Sequence, residues 1–174
     1  MKLFDLSNAQ KMLLFSNIEN PNNTSFTLNF KREYNIDDID YLKKAVNFIA
    51  NNYLNLQIKN IENGEFKQYY VNNANDFDRF EYFKLTKDDD LEEIINDFLD
   101  KPFNPFFDTP LYRLAIIENG DSLMLIGSIH HTIADGTSVF TILPREIDKI
   151  IYSLKNKTDY EKINNISYEI SVNR

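Results

Sequence analysis

Residues 111–136 read LYRLAIIENGDSLMLIGSIHHTIADG, two apolar runs joined by Asn119-Gly120. Leu111 to Glu118 and Ser122 to His130 have the length and branched, apolar content of strands. Asn-Gly tolerates positive φ at both positions, so a two-residue hairpin turn is predicted at Asn119-Gly120. Beyond the second run, the short loop His131–Gly136 leads into a helical pattern from Ser138 to Leu154. Pro144 falls inside that pattern, where a missing N–H predicts a kink.

Upstream, two amphipathic stripes stand out. Ile39, Leu42, Ala45, Val46, Ile49 and Tyr53 recur at helical spacing behind Asp37 and Asp38, which suit the positive end of a helix dipole. Leu91, Ile94, Ile95, Phe98 and Leu99 form a second stripe after Asp88–Asp90. Phe26, Leu28 and Phe30 alternate with polar residues, the period of a half-buried strand. Leu56–Ile61, Phe66–Val71 and Phe80–Leu85 read as further strands, the first two divided by Asn63-Gly64. Ser7 is placed to cap a short helix from Asn8 to Phe15. The order is not a clean βαβ alternation. It predicts an α+β or α/β two-layer sandwich, a mixed β-sheet with helices packed on one face.

Composition narrows the function classes. With 174 residues and 43% hydrophobic content the chain can bury one core. A net charge of -8 argues against nucleic acid, whose phosphates need a basic patch. No apolar run approaches the roughly 18–20 residues of a membrane span, and the first residues lack the apolar centre of a secretory signal. The absence of cysteine removes thiolate nucleophiles and disulfides. A cytoplasmic protein without membrane contact is expected. The fourteen phenylalanines and ten tyrosines are assigned to core stripes rather than to a ligand tunnel.

Chemistry concentrates in one place. The chain has two histidines, and they are adjacent: His130 and His131. Neighbouring strand residues face opposite ways, so His131 is expected to face a cleft while His130 lies under the sheet. An imidazole titrating near neutral pH suits proton removal from an attacking amine. Gly136, at the loop-to-helix turn, leaves room for a backbone N–H to approach a substrate oxygen. Histidines that point apart make a poor chelate, so no metal is expected on His130, His131 and Asp135.

His130-His131-Thr132-Ile133-Ala134-Asp135-Gly136 resembles the HHxxxDG signature of condensation domains of non-ribosomal peptide synthetases, members of the chloramphenicol acetyltransferase-like superfamily. Ser7-Asn8-Ala9-Gln10 is similar to that family's opening S-x-A-Q motif. Pro102-Phe103-Asn104 through Thr109-Pro110-Leu111-Tyr112-Arg113 resembles its PFD and GPLxR segments. The resemblance implies acyl transfer that forms an amide bond between aminoacyl or peptidyl groups tethered to phosphopantetheine on partner carrier proteins. It implies no cofactor bound by this chain. His131 would be the catalytic residue, Asp135 a structural one holding the loop, and the Gly136 N–H an oxyanion donor. Nothing indicates a covalent intermediate on the protein.

Two departures sharpen these expectations. Asn55 stands where the family carries an arginine that pairs with the motif aspartate. Arg113 is the replacement candidate: a turn at Asn119-Gly120 pairs it with Ile126, on the face of His130, where Asp135 belongs. The chain is also less than half the family's usual domain length. Residues 1–154 are expected to form the amino-terminal lobe. Residues 155–174 read as a polar linker or the start of the missing carboxy-terminal lobe, with Ile166–Glu169 as a remnant of its first motif. Such a lobe alone is expected to show little activity. The alternatives are a stand-alone coenzyme A-dependent acyltransferase and a non-catalytic lobe that binds carrier proteins.

Overall fold

The computed structural model describes residues 2–61, 64–71, 79–103 and 110–160. The elements run β1 (Phe4–Asp5), α1 (Asn8–Glu19), β2 (Thr27–Asn35), α2 (Ile39–Asn52), β3 (Leu56–Ile61), β4 (Glu65–Tyr70), β5 (Glu81–Lys84), α3 (Leu91–Leu99), β6 (Tyr112–Asn119), β7 (Ser122–His130) and α4 (Leu143–Asn156). They build two sheets, β1-β4-β3 and β2-β7-β6-β5. The larger is mixed, because β5 runs parallel to β6 while its other pairs are antiparallel.

Alternation along β6 and β7 sorts their side chains between two layers. Leu114, Ile116, Leu123, Leu125 and Ile129 pack with the apolar stripes of α2 and α4. Ala115, Ile117 and Ile126 turn the other way and pack on Ile95 and Phe98 of α3. The mixed α+β fold is the one expected. The helices, however, cover both faces of the larger sheet, since β6 and β7 are apolar on both sides and neither side can be left to water.

The hairpin turn falls one residue later than the Asn119-Gly120 expectation. Asn119 pairs with Ser122, and Gly120, with φ 60°, takes the first loop position, the place of glycine in a type II′ turn. Arg113 therefore faces Ser128, not Ile126. The shift spans two residues in the pairing, so Arg113 keeps to the face of His130.

Pro144 opens α4 directly after a π-wound turn at Ser138–Ile142, within helical winding that runs over residues 136–156. The irregularity is that wider turn, on the amino-terminal side of the proline.

α1 runs a turn longer than expected and is inverted. Ser7 caps it in a reciprocal box with Gln10. Its buried residues are Gln10, Leu14 and Asn17, whereas Met12, Phe15 and Ile18 lie 74%, 58% and 43% exposed. Among the described residues no helix is long and apolar enough to cross a membrane. The Pro102–Pro110 motif is described only at its ends, and Ile166–Glu169 and Asn63 fall outside the described residues.

Candidate active site

β7 ends between two strands, and its last backbone groups fix the histidine pair. The His130 N–H donates to the Leu111 carbonyl at 2.9 Å, and the His131 N–H donates to the Phe26 carbonyl at 2.8 Å. Opposed backbone bonds send the two rings to opposite sides. His130 is 1% exposed; His131 is open to solvent.

His130 is held at both ring nitrogens. The Thr132 N–H and hydroxyl lie 3.2 and 2.6 Å from Nδ1, and Asn17 Oδ1 lies 3.3 Å from Nε2. An N–H that donates to Nδ1 requires that nitrogen to be unprotonated. The hydrogen-bond pattern thus assigns the proton to Nε2, donated to Asn17. Burial, followed by the nearby charge of His131, pushes the His130 pKa down to about 4, so the ring is neutral at neutral pH.

The wall behind His130 comes from distant segments. The Phe103 ring meets it edge-on at 5.9 Å between centroids. The Arg113 guanidinium lies 4.0 Å over the other part of this stack, the Phe103 ring. Arg113 also donates to the carbonyls of Lys101 and Pro102. On the far side of Thr132, the Gln10 amide donates to the Thr132 carbonyl at 3.0 Å and to Gln68 Oε1 at 2.9 Å. Gln68, fully buried, donates in turn to the Asp5 carbonyl at 2.6 Å.

The expected Arg113–Asp135 pair does not form. Asp135 is exposed, so its carboxylate needs no buried countercharge. Its Oδ1 accepts the Ser138 N–H at 2.7 Å, the arrangement of a helix N-cap. This backbone bond, then the Ser138 side chain, holds the carboxyl below its ordinary range, with the charge of His131 a smaller contribution. Arg113, bound to two carbonyls and a ring, has its guanidinium committed elsewhere. Asn55 closes the end of the β3–β4 pair, its side chain donating to the Val71 carbonyl at 3.3 Å.

Gly136 opens the helix that Asp135 caps. The first N–H groups of a helix have no intrahelical acceptor, so this turn presents donors beside the loop of His131. A Cβ on Gly136 would meet only the Phe140 ring, at 3.7 Å, so the approach to this backbone is open. Among the described residues no cluster of His, Asp and Glu could hold a metal ion. Sequence reasoning missed Asn17 and Gln68, and Gln10 and Thr132 stood out only as parts of their motifs. The available signal was the seven-residue step from Gln10 to Asn17, which puts both carboxamides on one helix face.

The model that describes the condensation-domain family matches residues 2–170. A comparison with curated proteins finds no match. Among solved structures, the starter condensation domain of rhizomide synthetase RzmA superposes with a TM-score of 0.83 at 15% identity, covering 99% of this chain and 43% of that one. The first condensation domain of the CDA synthetase gives 0.80 at 16% identity, over 99% of this chain and 45% of that one. This chain thus spans less than half the length of those structures, and at such identities the likeness is one of fold. Together with the family match along nearly its whole length, this shows that the chain belongs to the condensation-domain family.

Proposed function

We propose that this chain is the histidine-bearing part of a catalyst that joins carrier-bound acyl groups through an amide bond. The acceptor amine attacks the donor thioester carbonyl; a C–N bond forms, the C–S bond breaks, and the thiol leaves. His131 takes the proton that the amine loses and can pass it to the departing sulfur. The Gly136 N–H faces the oxygen on which charge develops. The observation that carries this reading is the split of the pair: His130 sealed and neutral, His131 exposed beside a capped helix start. The family match supports the reaction class. A double mutant of the RzmA domain, whose fold this chain shares, has been captured with C8-CoA and Leu-SNAC.

Donor and acceptor would arrive on the phosphopantetheine arms of carrier proteins, and the rest of the substrate channel would come from a second lobe. Proximity alone can contribute several kcal/mol to such a reaction, so one lobe by itself should turn over poorly. The test combines this chain with the remaining portion of its condensation domain, supplies aminoacyl carrier proteins, and quantifies the amide product by mass spectrometry. His131→Ala should lower turnover by about 10²–10⁴-fold, the worth of a positioned base. Native turnover by His131→Ala would overturn the assignment, and product from the 174-residue chain alone would overturn the need for a second lobe.

A further inference from the structure

α1 is built the wrong way round for a helix that serves only to fill a core. Its inward face carries the carboxamides of Gln10 and Asn17 with Leu14 between them, and its outward face carries Met12, Phe15 and Ile18. An amphipathic helix normally buries the opposite set. Each inward carboxamide reaches a residue that flanks His131. Gln10 donates to the Thr132 carbonyl at 3.0 Å, and Asn17 Oδ1 lies 3.3 Å from His130 Nε2. His131 stands between these two fixed points, with its own ring in solvent.

The bond to His130 leaves a defect behind. With Nε2 as the donor, Asn17 must present its oxygen, and Asn17 Nδ2 is then buried with no hydrogen-bond partner. A leucine would exchange this orphan for another, the buried His130 Nε2–H. Unsatisfied buried groups are uncommon enough to need a reason, and here the reason is the bond to that ring. Gln10, by contrast, is fully engaged: its Oε1 accepts the Ser7 N–H at 2.8 Å, and its amide serves Gln68 and Thr132. Helix start, small sheet and histidine loop are thus tied through one side chain.

We infer that α1 acts as a clamp on the histidine loop, with Gln10 and Asn17 as positioning residues that set where the His131 ring stands. This inference rests on the reading of His131 as the catalytic imidazole. A reacting group displaced by about 1 Å can lose on the order of 10²-fold in rate. Gln10 holds the Thr132 carbonyl and Asn17 the ring of His130, and neither touches the reacting atoms.

Gln10→Met keeps the length and volume of the side chain while removing its donors to Gln68 and Thr132 and its acceptor of the Ser7 N–H. Asn17→Leu removes the acceptor of the His130 ring at the other end. Leu14→Ala is the control, because it loosens the same helix face without removing a hydrogen bond; Leu14 shares an apolar cluster with Ile133, so this control is read at the His131 amide. Amide hydrogen exchange is followed by NMR in the 174-residue chain at His131 and Ile133. Their N–H groups donate to Phe26 and His130 carbonyls at 2.8 and 3.1 Å. Relative to amides in the interior of β7, these two should exchange about tenfold faster in Gln10→Met, the equivalent of one lost buried hydrogen bond. In Leu14→Ala, the His131 amide and the strand amides should change by a common factor.

An unchanged loop-to-strand ratio in Gln10→Met, or the same change at His131 in Leu14→Ala, overturns the clamp. Gln10→Asn, one methylene shorter, is the milder version should Gln10→Met not fold. In the assembled enzyme, Gln10→Met should lower kcat with little change in KM for the carrier-bound acceptor. If His131→Ala leaves turnover intact, the catalytic reading fails, while the exchange result still decides the clamp.

Discussion

His130 should make the stability of this protein fall on mild acidification, before its carboxylates begin to titrate. The ring's pKa is pushed from 6.5 to about 4 in the folded state. A group with a depressed pKa that is neutral when folded binds more protons in the unfolded chain. Its stabilisation is therefore complete above the unfolded value and is lost as pH falls from there toward the folded one. The full difference, about 2.5 pKa units, corresponds to about 3 kcal/mol. Between about pH 7 and about pH 5, linkage gives a loss of about 2 kcal/mol. This histidine is fully buried, so solvent screening takes little from that figure. With two histidines in the chain, few other groups titrate in this window. The shifted carboxyls, among them Asp135, Glu118 and Glu146, all move below their ordinary values and matter only in stronger acid. Urea unfolding at several pH values measures the slope directly. His130→Gln should lower stability overall and flatten the slope; His131→Ala should preserve most of it. A midpoint that does not change between neutral and mildly acid conditions, or an equal slope in His130→Gln, would refute the reasoning.

Asp135→Ala should cost about 1 kcal/mol, the worth of an N-cap, rather than the 3–5 kcal/mol (roughly) of a broken buried ion pair. Combined with Arg113→Ala, it should be additive in chemical denaturation; coupling between the two would restore the ion pair the structure rejects. Gly127→Ala should destabilise by about 1–3 kcal/mol through overpacking, since a Cβ there would lie 2.4 Å from the Phe30 ring and 2.8 Å from Leu114. Phe30→Leu should recover part of that loss in a thermal melt, and no recovery would place the strain elsewhere.

Local patterns in the sequence carried most of the fold. α2 begins where its apolar stripe places it, α3 where its stripe and the Asp90 cap do, and β7 matches the run from Ser122 to His130. The split into two sheets was not legible, because β1 has two residues and its pairing with β4 depends on chain segments far apart. The parallel placement of β5 beside β6 is likewise a tertiary choice that no strand announces. At the site, strand alternation alone was enough to oppose the two histidine rings. The partner of Asp135 was misjudged because the sequence does not reveal its exposure; once in water, that carboxylate favours the nearest free amide over a distant arginine. The inward carboxamides of α1 escaped notice because a polar residue on a short helix is normally read as solvated.

The two rings differ in ways that make them complementary in the proposed reaction. His130 is kept neutral by burial, and its Nδ1 is committed to Thr132, so it adds no positive charge behind its neighbour. Asp135 is kept ionised by its bonds to Ser138, and its carboxyl feels the charge of His131. A proton taken up by His131 in the transition state therefore has a neutral ring on one side and a carboxylate on the other. Exchange these two environments and the same residues would oppose the charge they now stabilise. Coulombic interactions of this kind gain strength as water is excluded, so a second lobe closing over His131 would add to the effect of the Asp135 carboxylate as well as align the substrates. The buried histidine has no part in the chemistry on this account. It contributes a rigid, uncharged backing, and the Phe103–Arg113 stack and the α1 carboxamides keep that backing in place.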